Sequence, residues 1–405
     1  MLLSRKVFRK FAVNPFIQDL IGSDFDLKMH QFISPTKLST LSEESLYTRK
    51  AQSDHDRNIF DPFFYYFENG GKRFRPAMTQ LCSNVLGIKG SSVEPVKLYV
   101  ESIHHASLLI DDIQDSSTLR RGKPVSHLVF GIDSAISSGC RLISVDILAC
   151  LLNALKLENP SDELRVRRVH ERLIGFLFQG TTLDIAWHKP KGADFRPRLE
   201  DYLGMVDYKS VSLIAAGAAV LSELANKRKE FEQLLPAIVY FGRAFQIYDD
   251  VINLDSKDYQ KLKGVAEDII EGKVSFPVLH LASNGDPREL YDILNNPQKD
   301  QAALDRAIEI LRSSDSIEAG KNLTCGNLHL SLEKILENFG PQTADLWIRF
   351  CKAMMPLAEE AYRDPEPQKS GSPSLRVMAE IKKNPRNMKE AAPLTKQISF
   401  WSKNN

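Results

Sequence analysis

The sequence predicts an all-α fold. From about residue 55 to residue 363, apolar residues recur at three- and four-residue spacing, which is the period of one helix face. Prolines and glycines fall between these segments, for example at Gly87, Pro160 and Gly264, as they do in connections. The alternating pattern of a strand is absent. We therefore expect one helical domain over residues 55–363, with an extension at each end.

The bulk composition excludes several classes of protein. The 405 residues include 53 basic and 52 acidic side chains, a balance that argues against nucleic-acid binding through a broad basic face. No run of eighteen apolar residues occurs, so no membrane-spanning helix is expected. The scattered cysteines form no CxxC pair and are read as buried thiols of a reducing compartment. They are Cys82, Cys140, Cys150, Cys325 and Cys351.

The two extensions look different from the domain between them. Residues 1–54 mix polar residues with short apolar clusters and are expected to be weakly ordered. Within them, residues 1–18 carry four basic residues and no acid, so a mitochondrial or other organellar address is an alternative to the cytoplasmic location that we expect. Residues 364–405 are read as a linker-like tail with one short helix in its basic stretch.

A first acidic cluster closes a strongly apolar helix, in the run LLIDDIQD. Asp111 and Asp115 are four residues apart and share a helix face, with Asp112 beside Asp115. Three carboxylates at a helix C-terminus repel one another and oppose the helix dipole. The cluster is therefore either a solvated helix end or a site for a cation.

A second cluster closes another apolar helix, in the run FQIYDDVIN. Asp249, Asp250 and Asn253 place two carboxylates and an amide oxygen near one another. Oxygen ligands of this kind suit Mg²⁺, which completes its shell with water and substrate phosphates. Two such clusters on separate helices can face each other across a bundle core, as a metal rim above an apolar pocket.

Basic residues supply the complement to these acids. The run GGKRFRP, residues 70–76, places Lys72, Arg73 and Arg75 at a glycine turn that enters a helix, and arginines suit bidentate phosphate contacts. Each later cation alone is read as a surface charge; their value lies in the combination with the acids. These cations are Arg120, Arg121, Lys209, Lys263 and Lys273.

In these motifs the chain resembles the trans-isoprenyl diphosphate synthases, and within them the eukaryotic geranylgeranyl diphosphate synthases. The resemblance covers about residues 55–360 and rests on GGKRFRP, HHASLLIDDIQDSSTLRRGKPVSH, YLGMVDYKSVSLI, FQIYDDVINL and EDIIEGKVSFP. It implies an isoprenoid-synthase-type helical bundle with a central active-site cavity, in a homodimer or higher homo-oligomer. It also implies condensation of isopentenyl diphosphate with dimethylallyl, geranyl or farnesyl diphosphate, with three Mg²⁺ ions per site and release of diphosphate.

The resemblance assigns roles residue by residue. Isopentenyl diphosphate would be held by Lys72, Arg75, His104 and Arg121. The allylic diphosphate would be held through Mg²⁺ by Asp111, Asp112, Asp115, Asp249 and Asp250. All of these except Asp250 would be direct metal ligands. Its oxygens would be neutralised by Arg120, Lys209, Lys263 and Lys273, with Ser210, Gln246 and Asn253 as further substrate contacts. His105 lies on a neighbouring helix face and is read as a packing residue.

The chain departs from the family pattern at two places. Thr181 stands where the family usually has Gln, although Asp184 is retained. The run Lys209-Ser210-Val211-Ser212 replaces Lys-Thr-Gly-Gly, and Val211 is expected to crowd the mouth of the site or to alter the allylic preference. These changes bear on rate and product rather than on reaction class.

Two rival functions share the same motifs. A terpene synthase on this fold would ionise an allylic diphosphate without condensation, but it would not need Lys72, Arg75, His104 and Arg121. A non-catalytic partner subunit would be expected to have eroded acidic motifs, and these are intact.

The product length can be argued from the residues that precede Asp111. Ser107 and Ala106 lie four and five residues earlier, which is about 6 to 7.5 Å deeper along a helix. Because both side chains are small, a C10 or C15 stop is disfavoured. The floor is expected deeper, near residues 136–152, with a contribution from His127. C20 is the expected product and C25 is the alternative.

The variant Ser107→Phe should therefore shorten the product, because an aromatic ring at this depth would block the growing tail. The measurement is mass analysis of the product alcohols after phosphatase treatment. An unchanged product length would show that this helix face does not line the pocket for the growing tail.

Overall fold

The computed structural model describes residues 13–33, 49–187, 192, 194–255, 267–365 and 371–383. Within these ranges the all-α prediction is confirmed, and the only strands are a hairpin of β1 (Leu119–Arg120) and β2 (Lys123–Pro124). The strands are antiparallel, with Arg120 opposite Lys123. Internal contacts divide the chain into two compact units, and the domain predicted over 55–363 spans both.

The first unit comprises residues 1–84 and 88–170. Its helices are α1 (Pro15–Ile21), α2 (Phe25–Phe32), α3 (Arg49–Glu68), α4 (Phe74–Val85), α5 (Val93–Gln114), α6 (Ser126–Phe130), α7 (Ile132–Arg141) and α8 (Ile147–Leu155). A π-helical segment (Leu142–Asp146) joins α7 to α8, and α9 (Pro160–Trp187) begins in this unit.

The second unit comprises residues 85–87 and 171–405. After the remainder of α9 it contains α10 (Leu199–Val206), a π-helical segment (Asp207–Val211), α11 (Ser212–Leu224), α12 (Arg228–Asp255), α13 (Glu267–Glu271), α14 (Phe276–Asn284), α15 (Arg288–Asn295), α16 (Gln301–Ser313), α17 (Ser316–Met354), α18 (Leu357–Ala361) and α19 (Pro373–Lys383). Helix α12 runs through Pro236, and α17 bends at Gly340, which precedes Pro341.

Helix α5 forms the core of the first unit, because buried residues lie on most of its circumference rather than on one stripe. Helix α7 approaches it closely at Gly139. A Cβ atom at this glycine would lie 2.8 Å from Ile110 Cγ1 and 3.1 Å from the carbonyl oxygen of Ala106. Ala106 is therefore covered by a neighbouring helix, and glycine is the residue that permits the contact.

The N-terminal helices belong to this core. Helix α2 buries residues at i, i+4 and i+7, namely Phe25, Met29 and Phe32. Lys97 Nζ of α5 donates to the Ile21 carbonyl oxygen at 3.1 Å, and Ser102 Oγ donates to Met29 Sδ at 3.2 Å. The expectation of a weakly ordered extension is wrong for residues 15–32, because this stripe of large apolar side chains is buried. The basic residues 1–12 lie outside the described part.

The C-terminal helix α19 is docked in the same manner on the second unit. The Ser374 backbone N–H donates to Asp345 Oδ1 at 2.9 Å, and Arg376 forms a two-bond ion pair with Asp364 at 3.0 and 2.6 Å. Its inner face buries Val377, Met378 and Ile381. The short helix was expected, but the linker-like character is wrong for residues 371–383. Residues 366–370 and 384–405 lie outside the described part.

Two helical stretches are long and apolar enough to cross a membrane by length and composition alone. They are Ile132–Leu155 and Leu199–Leu224. Of their most apolar windows, 56% and 78% are buried inside the protein. Burial of this extent is what core helices show, so these properties alone assign no membrane span.

We expect Met29→Ala to lower the free energy of unfolding by about 2–5 kcal/mol, because Met29 is fully buried and its loss leaves a cavity. The control is Leu27→Ala on the same helix, since Leu27 is 62% exposed and should change stability by less than about 0.5 kcal/mol. Denaturant unfolding of the full chain measures both. Equal effects would show that α2 does not belong to the folded core.

Candidate functional site

The glycine turn of GGKRFRP leaves room for Arg121. Arg121 and Gly122 form the turn of the β1–β2 hairpin, with φ of 55° and 76°, as in the hairpin turn that needs positive φ at both central residues. The Arg121 guanidinium donates to the Gly70 carbonyl oxygen. A Cβ atom at Gly71 would lie 2.8 Å from Arg121 Nη2, so a larger residue there would displace the arginine.

The three cations of this turn have different surroundings. Lys72 is exposed and Arg75 is half-buried, whereas Arg73 is buried. Arg73 Nη1 donates to Glu101 Oε1 at 2.9 Å and lies 3.2 Å from His105 Nε2. Arg73 is therefore a core residue. The contact of His105 with it agrees with the packing role expected from the sequence.

His104 lies among several positive charges. Its pKa is lowered well below the ordinary value, first by burial and then by the charges of Arg75, His105, Arg121 and Arg120. Burial and nearby arginines, Arg73 first among them, also lower the pKa of Arg121 to about 10. Arginines that depress each other's protonation stabilise an anion placed between them. The residues predicted to hold isopentenyl diphosphate thus include a cationic group around His104.

The three carboxylates at the acidic end of α5 lie in two different environments. Asp112 is fully buried, and Arg120 Nε donates to its two oxygens at 2.7 and 2.9 Å. The Tyr66 hydroxyl donates to the same carboxylate. Asp111 and Asp115, one helical turn apart, are half-buried and buried respectively.

The Asp112 oxygens accept hydrogen bonds from Arg120 and Tyr66, and the role of Asp112 as a direct metal ligand stays a prediction. Among the described residues, no three His, Cys, Asp or Glu side chains form a ready-made metal site. Mg²⁺ needs only one or two carboxylates when phosphates complete its shell, so Asp111 and Asp115 fit such an ion.

In the second unit Asp250 is similarly fastened. Its Oδ2 accepts from the Tyr202 hydroxyl at 2.7 Å and from the Phe276 backbone N–H at 2.8 Å, and its Oδ1 accepts from Gln246 Nε2 at 3.0 Å. Burial raises the pKa of Asp250 to about 6, against the effect of these donors. Asp250 thus ties α12 to α10 and to the SFP segment.

Asn253 and Asp249 present the remaining oxygens of this cluster. Asn253 is buried, and its Oδ1 has no hydrogen-bond partner among the described residues. Asp249, one helical turn earlier, is half-buried. An orphaned buried acceptor beside a carboxylate is a donor set that fits Mg²⁺ and its water shell.

Lys209 lies in the π-helical segment Asp207–Val211, a form of helix that often occurs at functional sites. Its Nζ pairs with Asp184 Oδ2 at 2.5 Å. Helix α9 approaches the segment so closely that a Cβ atom at Gly180 would lie 2.7 Å from Lys209 Cα. Gly180 is therefore required for the position of Lys209.

The replacement at Val211 is accommodated inside the protein. Val211 is fully buried, and its methyl groups occupy the space that a Cβ atom at Gly242 would need, at 2.7 and 3.3 Å. The expectation that Val211 crowds the mouth of the site is therefore wrong. Ser210 Oγ donates to Gln246 Oε1 at 2.9 Å, which links it to Asp250 through Gln246. Thr181 is half-buried.

The remaining candidates are placed as follows. Lys273 is half-buried and forms an ion pair with Glu271. Lys263 lies outside the described residues. The His127 ring is half-buried and its Nδ1 has no hydrogen-bond partner in the described part of the chain, while Ser107 is half-buried and donates to the His104 carbonyl oxygen at 2.9 Å. Ala106 is covered by α7, so of the two small residues only Ser107 retains exposure.

Sequence reasoning assigned no role to Tyr66, Tyr202 or the Phe276 backbone. Tyr202 lies in the motif YLGMVDYKSVSLI and Phe276 in EDIIEGKVSFP, and both contact Asp250. Tyr66 lies 46 residues before Asp112, and no spacing rule connects the two.

Comparison with known proteins identifies the family of this chain. The polyprenyl synthetase family model matches residues 56–311. This chain belongs to the polyprenyl synthetase family. A geranylgeranyl pyrophosphate synthase of Dictyostelium discoideum is 34% identical over 284 residues, which cover 70% of this chain and 88% of that protein.

Solved structures of this family share the fold. A geranylgeranyl pyrophosphate synthase has a TM-score of 0.68 at 21% identity, covering 84% of this chain and 98% of that one. A polyprenyl synthase from Caulobacter crescentus, complexed with calcium and isoprenyl diphosphate, has a TM-score of 0.60 at 22% identity, covering 81% and 97%. This polyprenyl synthetase is therefore a trans-prenyltransferase with isoprenyl diphosphate substrates, and its family uses divalent metal ions.

We expect Gly180→Ala to lower prenyltransferase turnover by about 100-fold, because the added methyl group displaces the backbone of Lys209 by a fraction of an ångström or more. The matched control is Gly175→Ala on the same helix, where nothing lies within 4 Å of the added atom. That control should raise stability by about 0.5–1 kcal/mol and leave turnover unchanged. Steady-state kinetics and thermal unfolding measure both. Equal turnover in the two variants would show that the position of Lys209 does not affect the reaction.

Proposed function

We propose that the chain is a geranylgeranyl diphosphate synthase, which condenses isopentenyl diphosphate with an allylic diphosphate and releases diphosphate. The observation that carries the proposal is the combination found on α5. This helix presents His104 among arginines and, two turns later, the acidic group that begins at Asp111. An anion site and a cation site on one helix are what a condensing enzyme needs for its two diphosphate substrates.

The isopentenyl diphosphate is assigned to the cationic group of the first unit. Arg75 and Arg121 supply planar donors suited to phosphate oxygens, Lys72 supplies an exposed point charge, and His104 lies among them. Burial first, and then the neighbouring positive charges, lower the pKa values of His104 and Arg121, and a bound anion would relieve the repulsion between those charges, which supports this assignment.

The allylic diphosphate is assigned to the acidic clusters. In the first unit, Asp111 and Asp115 would hold Mg²⁺, which supplies positive charge for the leaving diphosphate. In the second unit, Asp249 and Asn253 form a donor set that also fits Mg²⁺. Asp112 and Asp250 keep Arg120, Tyr202 and Gln246 in place. Lys209, Lys263 and Lys273 are the further cations proposed for the diphosphate oxygens.

The reaction requires no nucleophilic side chain. The C1–O bond of the allylic substrate breaks and leaves an allylic cation and diphosphate, and the isopentenyl double bond attacks C1. A proton is then lost to the released diphosphate. The protein binds and orients both substrates and stabilises the departing charge, which contributes several kcal/mol in a site shielded from water.

A C20 product is supported by two observations. The Dictyostelium relative is a geranylgeranyl pyrophosphate synthase. In addition, the partly exposed position four residues before Asp111 is the small Ser107, which does not block a growing tail. A terpene synthase would not need the arginines around His104, because it does not condense isopentenyl diphosphate.

A second copy of the chain is the proposed partner. Five apolar side chains on α6, α7 and the following π-helical segment are each at least 40% exposed, namely Leu128, Val129, Ile132, Ile136 and Val145. Exposed apolar side chains that lie together mark interaction surfaces, and we assign these to a homodimer.

The test is product analysis after incubation with Mg²⁺, isopentenyl diphosphate and farnesyl diphosphate. We expect a C20 alcohol after phosphatase treatment, identified by mass. A hydrocarbon formed from farnesyl diphosphate alone would place the protein among terpene synthases, and a longer alcohol would overturn the C20 assignment.

The control for this assay is the pair Asp111→Ala and Gln114→Ala. Asp111 is assigned to the metal, so its loss should lower turnover by at least about 100-fold without unfolding the chain. Gln114 is an exposed non-carboxylate in the same cluster and should be neutral. Wild-type turnover in Asp111→Ala would contradict the metal assignment.

A further inference from the structure

The hydroxyl group of Tyr66 lies at the junction of three elements. Tyr66 is in α3 and its side chain is buried. Its hydroxyl donates to Asp112 Oδ2 at the end of α5 and accepts the Ser126 backbone N–H, at the start of α6, at 2.9 Å. Both hydrogen-bonding functions of this hydroxyl are therefore used, and one of them holds a buried carboxylate.

Asp112 connects this hydroxyl to Arg120. Arg120 Nε donates to both oxygens of Asp112, and Arg120 Nη2 lies 3.9 Å from Asp111 Oδ2. The guanidinium therefore lies between the carboxylate that Tyr66 holds and the carboxylate assigned to the metal. Its orientation depends on how Asp112 is fixed.

We propose that Tyr66 is a positioning residue for the allylic half of the reaction, and that it acts through Asp112 on Arg120. This inference rests on the proposed function. By fixing Asp112, Tyr66 keeps this carboxylate paired with Arg120 and leaves Asp111 and Asp115 as the metal-binding oxygens. The contacts of this hydroxyl are with Asp112 and the Ser126 backbone, and neither residue is assigned to the isopentenyl site.

The physical basis is the loss of a donor to a buried charge. In Tyr66→Phe the aromatic ring stays, but the Asp112 oxygen loses a hydrogen bond and can turn away from Arg120. Removal of a hydrogen bond to a charged group typically lowers affinity about 10- to 100-fold. We expect a loss in that range for the allylic substrate.

Tyr65 offers a matched control. Its hydroxyl donates to the Pro124 carbonyl oxygen at 2.8 Å, so it also contacts the hairpin that carries Arg120, but this contact does not include Asp112. Tyr65→Phe removes the same atom from the neighbouring residue. A role in anchoring the hairpin would affect both variants, whereas a role through Asp112 affects only Tyr66→Phe.

The experiment has a binding arm and a kinetic arm. In the binding arm, Mg²⁺ with inorganic diphosphate is titrated calorimetrically into wild type, Tyr66→Phe and Tyr65→Phe. In the kinetic arm, kcat and the KM values for farnesyl and isopentenyl diphosphate are measured separately. We expect Tyr66→Phe to weaken diphosphate binding and the use of farnesyl diphosphate about 10- to 100-fold, with an unchanged KM for isopentenyl diphosphate.

A double-mutant cycle tests the route of the effect. In an Asp112→Ala background, which removes both acceptor oxygens, Tyr66→Phe should change diphosphate affinity less than about twofold, because residues that act through one contact are not additive. A full effect in that background, equal effects of Tyr65→Phe and Tyr66→Phe, or an equal rise of both KM values would each overturn the proposal. If the wild type binds Mg²⁺ and diphosphate but forms no condensation product, the proposed function fails, while the binding arm still decides the role of Tyr66.

Discussion

A charge that is buried among apolar helices must be paired, because removing an isolated ion from water costs several kcal/mol. The acidic ends of α5 and α12 obey this constraint in parallel ways. Each has one carboxylate enclosed by donors. Asp112 accepts from Arg120 and Tyr66 of other elements, and Asp250 accepts from Tyr202, from the Phe276 backbone and from Gln246 of its own helix. The enclosed carboxylate fixes the surrounding segments, whereas the neighbouring Asp111 and Asp249 are half-buried.

The helices and the acidic motifs could be predicted because both depend on short-range patterns. The apolar period predicts α5 and α12, and the spacing of Asp111 from Asp115 places them on one face. The N-terminal helices were not predicted, because the apolar stripe of α2 is short and lies among polar residues. Its contact partner, residue 102 of α5, is distant in the sequence. The docking of α19 likewise depends on Asp345, which lies 29 residues before Ser374.

The different roles of the carboxylates within each acidic cluster could not be predicted, because they depend on residues that are distant in the sequence. Nothing in the run DDIQD distinguishes Asp111 from Asp112; the difference comes from Tyr66, 46 residues earlier. The consequences of Val211 also depended on a distant residue, because Gly242 provides the space into which its methyl groups fit. A substitution that appeared to narrow the site is absorbed by the packing between a π-helical segment and α12.

Under the proposed function, the surroundings of His104 would link substrate capture to proton concentration. In the free protein, burial and the adjacent arginines favour the neutral imidazole. A diphosphate held by those arginines would reverse the local potential and raise the proton affinity of the ring, so that binding of the anion and uptake of a proton would assist each other. Acidification of the surrounding medium would then strengthen retention of the anionic substrate, as long as the substrate phosphates stay ionised.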